Sequence, residues 1–286
     1  HRLPITVHRL PHPAMPPPLS NQYAKAIVTG ASRGIGRAIT EMLLEEGVDV
    51  WGTARNPQDL PEHSRLHPCE LDLAEPSSIA QFLEHLVSEC PDPDLLINNA
   101  GLGVFAPFEH YPVEAITEQI DVMLTGPVRL CRAFYPVMQR RGQGTIVNIS
   151  SLASEFPMPL LPMYNAAKAG LSAFTRTLQL ESGQSPVNVI DFQPGDYRTE
   201  FNQSMQPDLS RASERTKTIW AEIEKHLNEG PPPEHAARTL RCILQKRRSG
   251  RYRCGDFFQA KVAPLFARLI PWNALAKAIR IYYRVT

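Results

Sequence analysis

The stretch that decides the fold is Thr29-Gly30-Ala31-Ser32-Arg33-Gly34-Ile35-Gly36, a tight glycine-rich turn between a short β-branched run and an amphipathic segment. Small side chains let the backbone approach a ligand closely, and the N-terminus of the next helix offers unpaired N–H groups and a partial positive charge. The turn therefore predicts a site for the phosphates of a nucleotide. Because ordinary turns also collect glycine, other motifs must support this interpretation.

The segments around this turn alternate in hydrophobic period. From Lys25 onward, short β-branched runs alternate with longer amphipathic segments, which is typical of βαβ units. Strands are predicted at residues 26–29, 48–53, 94–98, 144–150, 187–193 and 251–254. We therefore predict an α/β fold: a single domain with a Rossmann-type doubly wound parallel sheet and helices on both faces.

Composition narrows the class of protein. The 286 residues, 43% of them hydrophobic, suffice for one sizeable core. Thirty basic and 29 acidic residues leave a net charge of +1, so no nucleic-acid partner is predicted. The longest uncharged stretches, about a dozen residues, are too short to span a membrane. Five cysteines without a CxxC pair indicate a reduced, cytoplasmic setting, and no metal site is predicted.

The two ends of the chain differ from its middle. Residues 1–22 contain six prolines and are predicted to be a flexible tail, while residues 23–256 form the α/β domain. Residues 257–286 are predicted to be a basic amphipathic helical extension, since residues 241–286 hold eleven Lys or Arg and one acid. Such helices can contact a membrane peripherally, or pack on their own domain or across a dimer. We favour packing.

Three further motifs follow the glycine-rich turn in order: Asn98-Asn99-Ala100-Gly101, then Tyr164 and Lys168 in a YxxxK pattern, then Pro194-Gly195. With the TGxxxGxG spacing, they make residues 24–255 resemble the short-chain dehydrogenase/reductase family. The resemblance implies an NAD(P)-dependent oxidoreductase that moves a hydride between a nicotinamide ring and a carbonyl or alcohol. It also implies a homodimer or homotetramer and a movable substrate lid over residues 200–230.

The same resemblance assigns the residues that border the cofactor. Asp72 and Leu73 would border the adenine, Asn99 would line the cofactor channel, and Thr199 would reach the nicotinamide amide. The predicted set is Gly30, Ser32, Arg33, Gly34, Ile35, Gly36, Arg55, Asp72, Leu73, Asn99, Ala100, Gly101, Tyr164, Lys168, Pro194, Gly195 and Thr199. Asp72 could instead be only a helix-capping or loop acid, and Thr199 could merely cap the next helix.

The end of the second predicted strand indicates which dinucleotide is used. NAD binders place an acid there to hold the ribose 2′-hydroxyl, and that acid would repel a 2′-phosphate. This chain has Thr53-Ala54-Arg55 instead, and Arg33 lies in the glycine-rich turn. Two planar guanidinium groups can bind a phosphate through paired hydrogen bonds. We therefore predict NADP(H), although each arginine alone could be a solvated surface cation.

Ser151, Tyr164 and Lys168 are the predicted catalytic residues. Tyr164 and Lys168 are four residues apart in a segment of helical period, so they share one face of a helix. Positive charge stabilises a phenolate, and a phenol can act as a general acid in the reducing direction. Ser151 stands at the family's position for a serine that polarises the substrate oxygen. Strand alternation lets only one of Ser150 and Ser151 face the cleft, and the thirteen-residue spacing to Tyr164 favours Ser151.

One position departs from the family pattern. The family usually carries an Asn just before the Leu-Thr-Gly of its long fourth helix, where it helps hold a water between the lysine and solvent; Met123 stands there. A thioether is a weak acceptor at best. The substitution predicts a slower or altered proton relay and raises a second hypothesis, a non-catalytic NADP(H)-binding sensor or scaffold. The intact Ser151, Tyr164 and Lys168 favour an enzyme.

Six apolar side chains close to the catalytic residues in sequence predict an apolar pocket, although any of them could be ordinary core. They are Phe156, Met158, Leu160, Leu161, Met163 and Tyr197. Such a pocket favours a lipophilic ketone or alcohol as substrate, so that the protein would be a carbonyl reductase.

Overall fold

The computed structural model describes residues 17–201, 205, 207, 209–210, 212–267 and 269–285. Seven parallel strands form one sheet in the order β3-β2-β1-β4-β5-β6-β7. Their bounds are β1 Lys25–Val28, β2 Asp49–Ala54, β3 Leu66–Glu70, β4 Leu95–Asn98, β5 Gly144–Ile149, β6 Val187–Pro194 and β7 Gly250–Cys254. The predicted α/β fold with a doubly wound parallel sheet is confirmed.

Helices cover both faces of the sheet. They are α1 Gly34–Glu45, α2 Pro76–Glu89, α3 Val113–Ile120, α4 Gly126–Arg141, α5 Pro162–Ser182, α6 Glu214–Glu229, α7 Pro233–Leu244, α8 Ala263–Ala267 and α9 Trp272–Tyr282. A π-helical turn, Asp121–Thr125, joins α3 to α4, and a second one, Phe258–Val262, precedes α8. Six of the residues in the lid expected over residues 200–230 lie outside the described residues, and α6 lies within the same range.

Alternation along the strands divides the core between the two faces of the sheet. In β1, Val28 joins a cluster that includes Ile39 of α1 and Leu240 of α7. Its neighbour Ile27 points the other way, into a cluster that includes Leu130 of α4. Because successive side chains of a strand point to opposite faces, a run of apolar residues fills both layers at once.

The order of the strands places the ligand site. The chain winds outward from β1 to β3 and then returns to pair β4 with β1. In open parallel sheets of this kind, ligands bind in the crevice at the carboxyl ends of the strands beside such a reversal. The glycine-rich turn follows β1, and the Asn99 segment follows β4, so both border that crevice.

The structure differs from the sequence-based predictions at one strand and at the N-terminal tail. The six predicted strands are present, each end within about one residue of its expected place, but the list omitted β3. Its Pro68 argues against a central strand; β3 lies at the sheet edge, where proline is tolerated. The tail expected over residues 1–22 is also shorter at its C-terminal end, since residues 19–21 form a 3₁₀ turn and Leu19 is fully buried. Residues 1–16 lie outside the described residues.

Among the helices described, none is both long and apolar enough to cross a bilayer.

Candidate active site

The backbone conformation of the glycine-rich turn allows a ligand in the cleft to approach it closely. Gly30 and Gly34 have φ values of +65° and +57°, in the left-handed region that favours glycine. A Cβ on Gly36 would lie 2.1 Å from the Gly30 carbonyl oxygen and 2.3 Å from Asn99 Nδ2. These positions therefore require glycine, and they leave the N-terminus of α1 facing the cleft.

Asn99 ties this turn to the end of β4. Its Nδ2 donates to the carbonyl oxygens of Thr29 and Gly30, at 2.9 and 3.1 Å. The backbone N–H groups of Asn99 and Ala100 donate to Thr29 Oγ1, at 2.9 and 3.1 Å. The side chain predicted to line the cofactor channel thus also holds together the two loops that form it.

The residues expected around the adenine end border one cleft. Arg33 and Arg55 are exposed at its edge, on the loops that follow β1 and β2. Asp72 and Leu73 also border it, and Asp72 Oδ1 accepts a hydrogen bond from the Ala74 N–H at 2.9 Å. Asp72 therefore caps its own loop while facing the cleft, so the two interpretations are compatible.

Thr199 and Glu200 approach the glycine-rich turn from the loop after β6. The Thr199 Cβ lies 3.3 Å from the place that a Cβ on Gly34 would take. The Glu200 carboxylate accepts a hydrogen bond from the Gly34 N–H at 3.1 Å. Sequence reasoning found Thr199 and missed Glu200, because this contact spans 166 residues of chain.

Ser151, Tyr164 and Lys168 converge on one wall of the same cleft. Ser151 follows β5, and α5 begins at Pro162, so Tyr164 and Lys168 lie one turn apart on one face of that helix. The Ser151 hydroxyl donates to the Pro194 carbonyl oxygen at 3.4 Å and lies close enough to the Tyr164 phenol to lower its pKa. Lys168 Nζ lies 5.9 Å from the centroid of the Tyr164 ring. The three predicted catalytic side chains are therefore neighbours.

Burial sets the protonation of these groups. Burial raises the pKa of Tyr164, and the nearby Ser151 hydroxyl offsets part of that rise. Burial lowers the pKa of Lys168 to about 8, against the opposing effect of Asp191. Lys168 Nζ also donates to the Ile149 carbonyl oxygen at 2.7 Å. At neutral pH the phenol holds its proton and the lysine is mostly charged.

A buried carboxylate behind this wall went unnoticed in the sequence. Asp191 of β6 is fully buried and accepts hydrogen bonds from Ser150, Ser172 and Gln193. Burial raises its pKa, while these hydroxyls and Arg251 act in the opposite direction. Because Ser150 is engaged with Asp191, Ser151 is the serine left to contact Tyr164. The choice between the two serines thus has a structural reason.

Met123 lies within the π-helical turn between α3 and α4. Its side chain is fully buried, and its Sδ lies 3.5 Å from the place that a Cβ on Gly101 would take. The thioether therefore packs against the loop after β4, where the family pattern has an amide.

The cleft has a volume of about 1120 Å³ and continues from the glycine-rich turn past Tyr164. Of the six apolar residues predicted near the substrate, Phe156, Met158 and Tyr197 line it. Leu161 is wrong as a lining residue, because it is fully buried in a cluster with Phe105 and Trp220. Leu160 borders a second cavity, and Met163 borders neither.

The far wall of the cleft comes from the C-terminal extension, which the sequence did not connect with the site. Ile270, Leu275 and Ile279 line it. Gln259 ties this segment to the loop after β6: its Nε2 donates to Asp196 Oδ2 at 2.5 Å, and its Oε1 accepts from the Asp196 N–H at 3.1 Å. Asp196, next to Gly195, also lines the cleft.

Known proteins resemble this chain in sequence. The sequence model of the family described as short chain dehydrogenase matches residues 24–210. A 3-ketodihydrosphingosine reductase of Bacteroides thetaiotaomicron is 30% identical over 274 residues, which cover 91% of this chain and 97% of that protein.

Solved structures give the same relationship. A short-chain dehydrogenase from Streptomyces avermitilis superposes with a TM-score of 0.76 at 27% identity, covering 90% of this chain and 98% of that one. An alcohol dehydrogenase from Thermococcus sibiricus, complexed with 5-hydroxy-NADP, has a TM-score of 0.67 at 26% identity. The match covers 82% of this chain and 97% of that one. The chain therefore belongs to the short-chain dehydrogenase family of oxidoreductases.

Proposed function

We propose that this protein is an NADP(H)-dependent reductase of a lipophilic ketone, with Tyr164 as the group that gives a proton to the carbonyl oxygen. One observation carries the proposal. Ser151, Tyr164 and Lys168, whose Nζ lies 5.9 Å from the Tyr164 ring centroid, line the same cleft as the glycine-rich turn. A proton donor and a dinucleotide site sharing one cleft are what carbonyl reduction requires.

The residues present fit a dinucleotide. The left-handed glycines and the crowded Gly36 bring the backbone N–H groups at the start of α1 to the cleft, where they would hold a pyrophosphate. Arg33 and Arg55 would bind a 2′-phosphate through charge-assisted hydrogen bonds. When bound, the nicotinamide supplies the hydride that reduces the carbonyl carbon.

The chain's own residues manage the proton and the carbonyl. Tyr164 keeps its proton at neutral pH because burial raises its pKa, so the phenol is ready to act as a general acid. The Ser151 hydroxyl donates to and orients the carbonyl oxygen. The Lys168 ammonium, fixed by the Ile149 carbonyl, stabilises the negative charge that develops on the tyrosine oxygen.

The walls of the cleft favour a lipophilic substrate. Phe156, Met158 and Phe201 surround the approach to Tyr164, and the Phe201 ring centroid lies 5.8 Å from that of Tyr164. The C-terminal extension adds aliphatic side chains to the lining of the same cleft. Since the Bacteroides relative is a 3-ketodihydrosphingosine reductase, we propose 3-ketodihydrosphingosine as the first ketone to assay.

The test is turnover of that ketone by wild type, Tyr164→Phe and Tyr252→Phe. We expect Tyr164→Phe to lose nearly all turnover and keep its NADPH affinity within about threefold, because it lacks only the proton donor. Tyr252 is the matched control, since its hydroxyl donates to the Arg248 carbonyl oxygen and lies outside the cleft.

Two results would overturn the proposal. A Tyr164→Phe variant with most of the wild-type rate would remove the assigned proton donor. A wild-type protein that binds NADPH yet turns over no ketone in a broad panel would favour the sensor or scaffold hypothesis.

A further inference from the structure

We propose that the C-terminal extension, residues 257–285, docks on the surface of an anionic lipid bilayer and presents the mouth of the cleft to it. The docking surface consists of exposed apolar and basic side chains: Phe257, Phe258, Leu265, Leu269, Trp272, Ile281, Lys261, Lys277 and Arg280. That the bilayer delivers the substrate rests on the proposed function; docking itself does not.

Large apolar side chains on this extension are exposed. The exposed fractions are 63% for Leu265, 75% for Leu269, 60% for Trp272 and 69% for Ile281. Phe257 and Phe258 add two exposed aromatic rings. This number of neighbouring apolar residues in a segment of under 30 residues marks an interaction surface, whereas isolated exposed apolar residues are ordinary.

α9 carries more apolar side chains than its contact with the rest of the domain buries. Ile279, with Tyr283 just beyond the helix, packs against the cluster around Trp220. At 100° per residue, Ile281 and the exposed Ala278 point away from that contact. A helix that only packed on its own domain would carry polar residues there.

The charge of the extension matches an anionic surface. Residues 257–286 contain five basic residues and no acid. Arg284 pairs with Glu222 at 2.8 Å. Lys261, Lys277 and Arg280 are exposed and form no ion pair with any residue in the described part of the chain. Basic residues beside an apolar stripe are the pattern of helices that lie in the interface of anionic membranes.

The same charge argues against a second copy as the occupant. A two-fold interface brings the same surface patch of both subunits together. The unpaired cations of one extension would then face those of the other, without an acid in either segment to compensate. Anionic lipid headgroups supply the missing negative charge.

The docking surface is continuous with the cleft. Ile270 and Ile281 are exposed and also line the cleft. Gln259 fixes the start of the extension to Asp196, close to Gly195 and the catalytic wall. A lipophilic ketone could therefore pass from the bilayer along apolar side chains to Tyr164 without crossing water.

The experiment uses the full chain and vesicles of two compositions: an equimolar mixture of phosphatidylglycerol and phosphatidylcholine, and phosphatidylcholine alone. Binding is measured by flotation and by tryptophan fluorescence. Trp51 and Trp220 are buried while Trp272 is exposed, so docking should shift the emission of Trp272 to shorter wavelength. We expect stronger binding to the anionic vesicles, weakened by high salt.

Two variants separate the apolar and the electrostatic contributions. Leu265→Ser combined with Leu269→Ser should weaken binding at least tenfold, since both leucines lose their burial in lipid. Lys277→Gln combined with Arg280→Gln should weaken binding to the anionic vesicles about 25-fold, at about fivefold for each basic residue. The matched control is Val87→Ser with Leu180→Ser, two apolar residues on other helices that are 73% and 83% exposed.

Vesicle binding, self-association and ketone reduction are measured separately, so each can fail without the others. Loss of vesicle binding in both extension variants, with unchanged NADPH affinity, supports docking whether or not the protein reduces a ketone. Equal binding by wild type, extension variants and control overturns it. So does a concentration-dependent dimer, seen by sedimentation, that the leucine variant abolishes while no vesicle binds. If docking holds but a vesicle-embedded ketone is not reduced, only the delivery step and the proposed function fail.

Discussion

The Glu200 carboxylate accepts a hydrogen bond from the Gly34 N–H at 3.1 Å, at the start of α1. Helix N-termini attract anions through unpaired N–H groups and the helix dipole. Glu200 therefore occupies a backbone donor at the helix N-terminus, and a pyrophosphate bound there would have to compete with this carboxylate.

The first prediction follows from this contact. Glu200→Gln should raise NADPH affinity about two- to fivefold, because it removes an anion worth about 0.3–1 kcal/mol at the helix N-terminus. Calorimetric titration of NADPH measures the change. Glu41→Gln is the control, since Glu41 lies on α1 but pairs with Arg37. Unchanged or weaker affinity in Glu200→Gln would show that the carboxylate does not compete.

The second prediction concerns the choice of dinucleotide. Arg55→Ala should weaken NADPH binding about ten- to hundredfold, since a charge-assisted hydrogen bond contributes about 1.5–3 kcal/mol, and should leave NADH binding nearly unchanged. Titration of both cofactors checks it. Arg65→Ala serves as control, because Arg65 pairs with Asp49 at the opposite end of the sheet. Equal wild-type affinity for NADPH and NADH would refute the assignment.

The third prediction is a pH dependence set by Lys168. Burial lowers the pKa of Lys168 to about 8, so the ammonium loses its proton as pH rises through that value. We expect kcat/KM for the ketone to be level below about pH 7 and to fall above about pH 8, because kcat/KM reports the free enzyme. A profile that stays level to about pH 9.5 would contradict this role.

The lowered pKa of Lys168 also makes the stability of the folded protein depend on pH. The unfolded chain keeps the lysine proton to about pH 10.4, so it binds more protons than the folded chain between the two pKa values, and stability due to Lys168 rises with pH there. Lys168→Met should therefore raise Tm at neutral pH relative to wild type, and the difference should shrink toward about pH 10. Thermal unfolding across pH measures it.

The fourth prediction tests the departure at Met123. Met123→Asn should increase the single-turnover rate up to about tenfold, or about 1.4 kcal/mol off the barrier, if the proton relay lacks a side-chain partner. Its Tm should fall, because an amide replaces a fully buried thioether. Single-turnover measurement avoids masking by slow cofactor release. A slower Asn variant would show that the site is built around methionine.

The fifth prediction concerns the link between the extension and the site. Gln259→Ala should raise KM for the ketone more than Kd for NADPH, because it removes both hydrogen bonds to Asp196 at the substrate end of the cleft. Steady-state kinetics with a separate NADPH titration distinguishes the two. The control Gln245→Ala removes a side-chain bond to the Pro17 carbonyl oxygen, far from the cleft. Equal changes in both constants would contradict a local role.

Local patterns determined much of the fold and of the candidate site. Strand alternation, helical period and the left-handed glycines are short-range properties, so the sheet, the turn at Gly30 and the Tyr164–Lys168 pair could be predicted from neighbouring residues. β3 was harder, because Pro68 is acceptable only at an edge, and the sequence does not say which strand is at the edge.

Contacts between distant segments were decided only by the tertiary structure. Asp191 behind Ser150, Glu200 at Gly34, and Gln259 at Asp196 each join separate elements, and none has a local signal. Leu161 reads as a pocket residue by its place in sequence, yet packing turns it into the core. The sequence alone determined the element types, the order of the motifs and the charge of the extension, because these depend on residue type and spacing. The tertiary structure decided which of those residues meet across the cleft, because that depends on how the parallel sheet brings the ends of distant strands together.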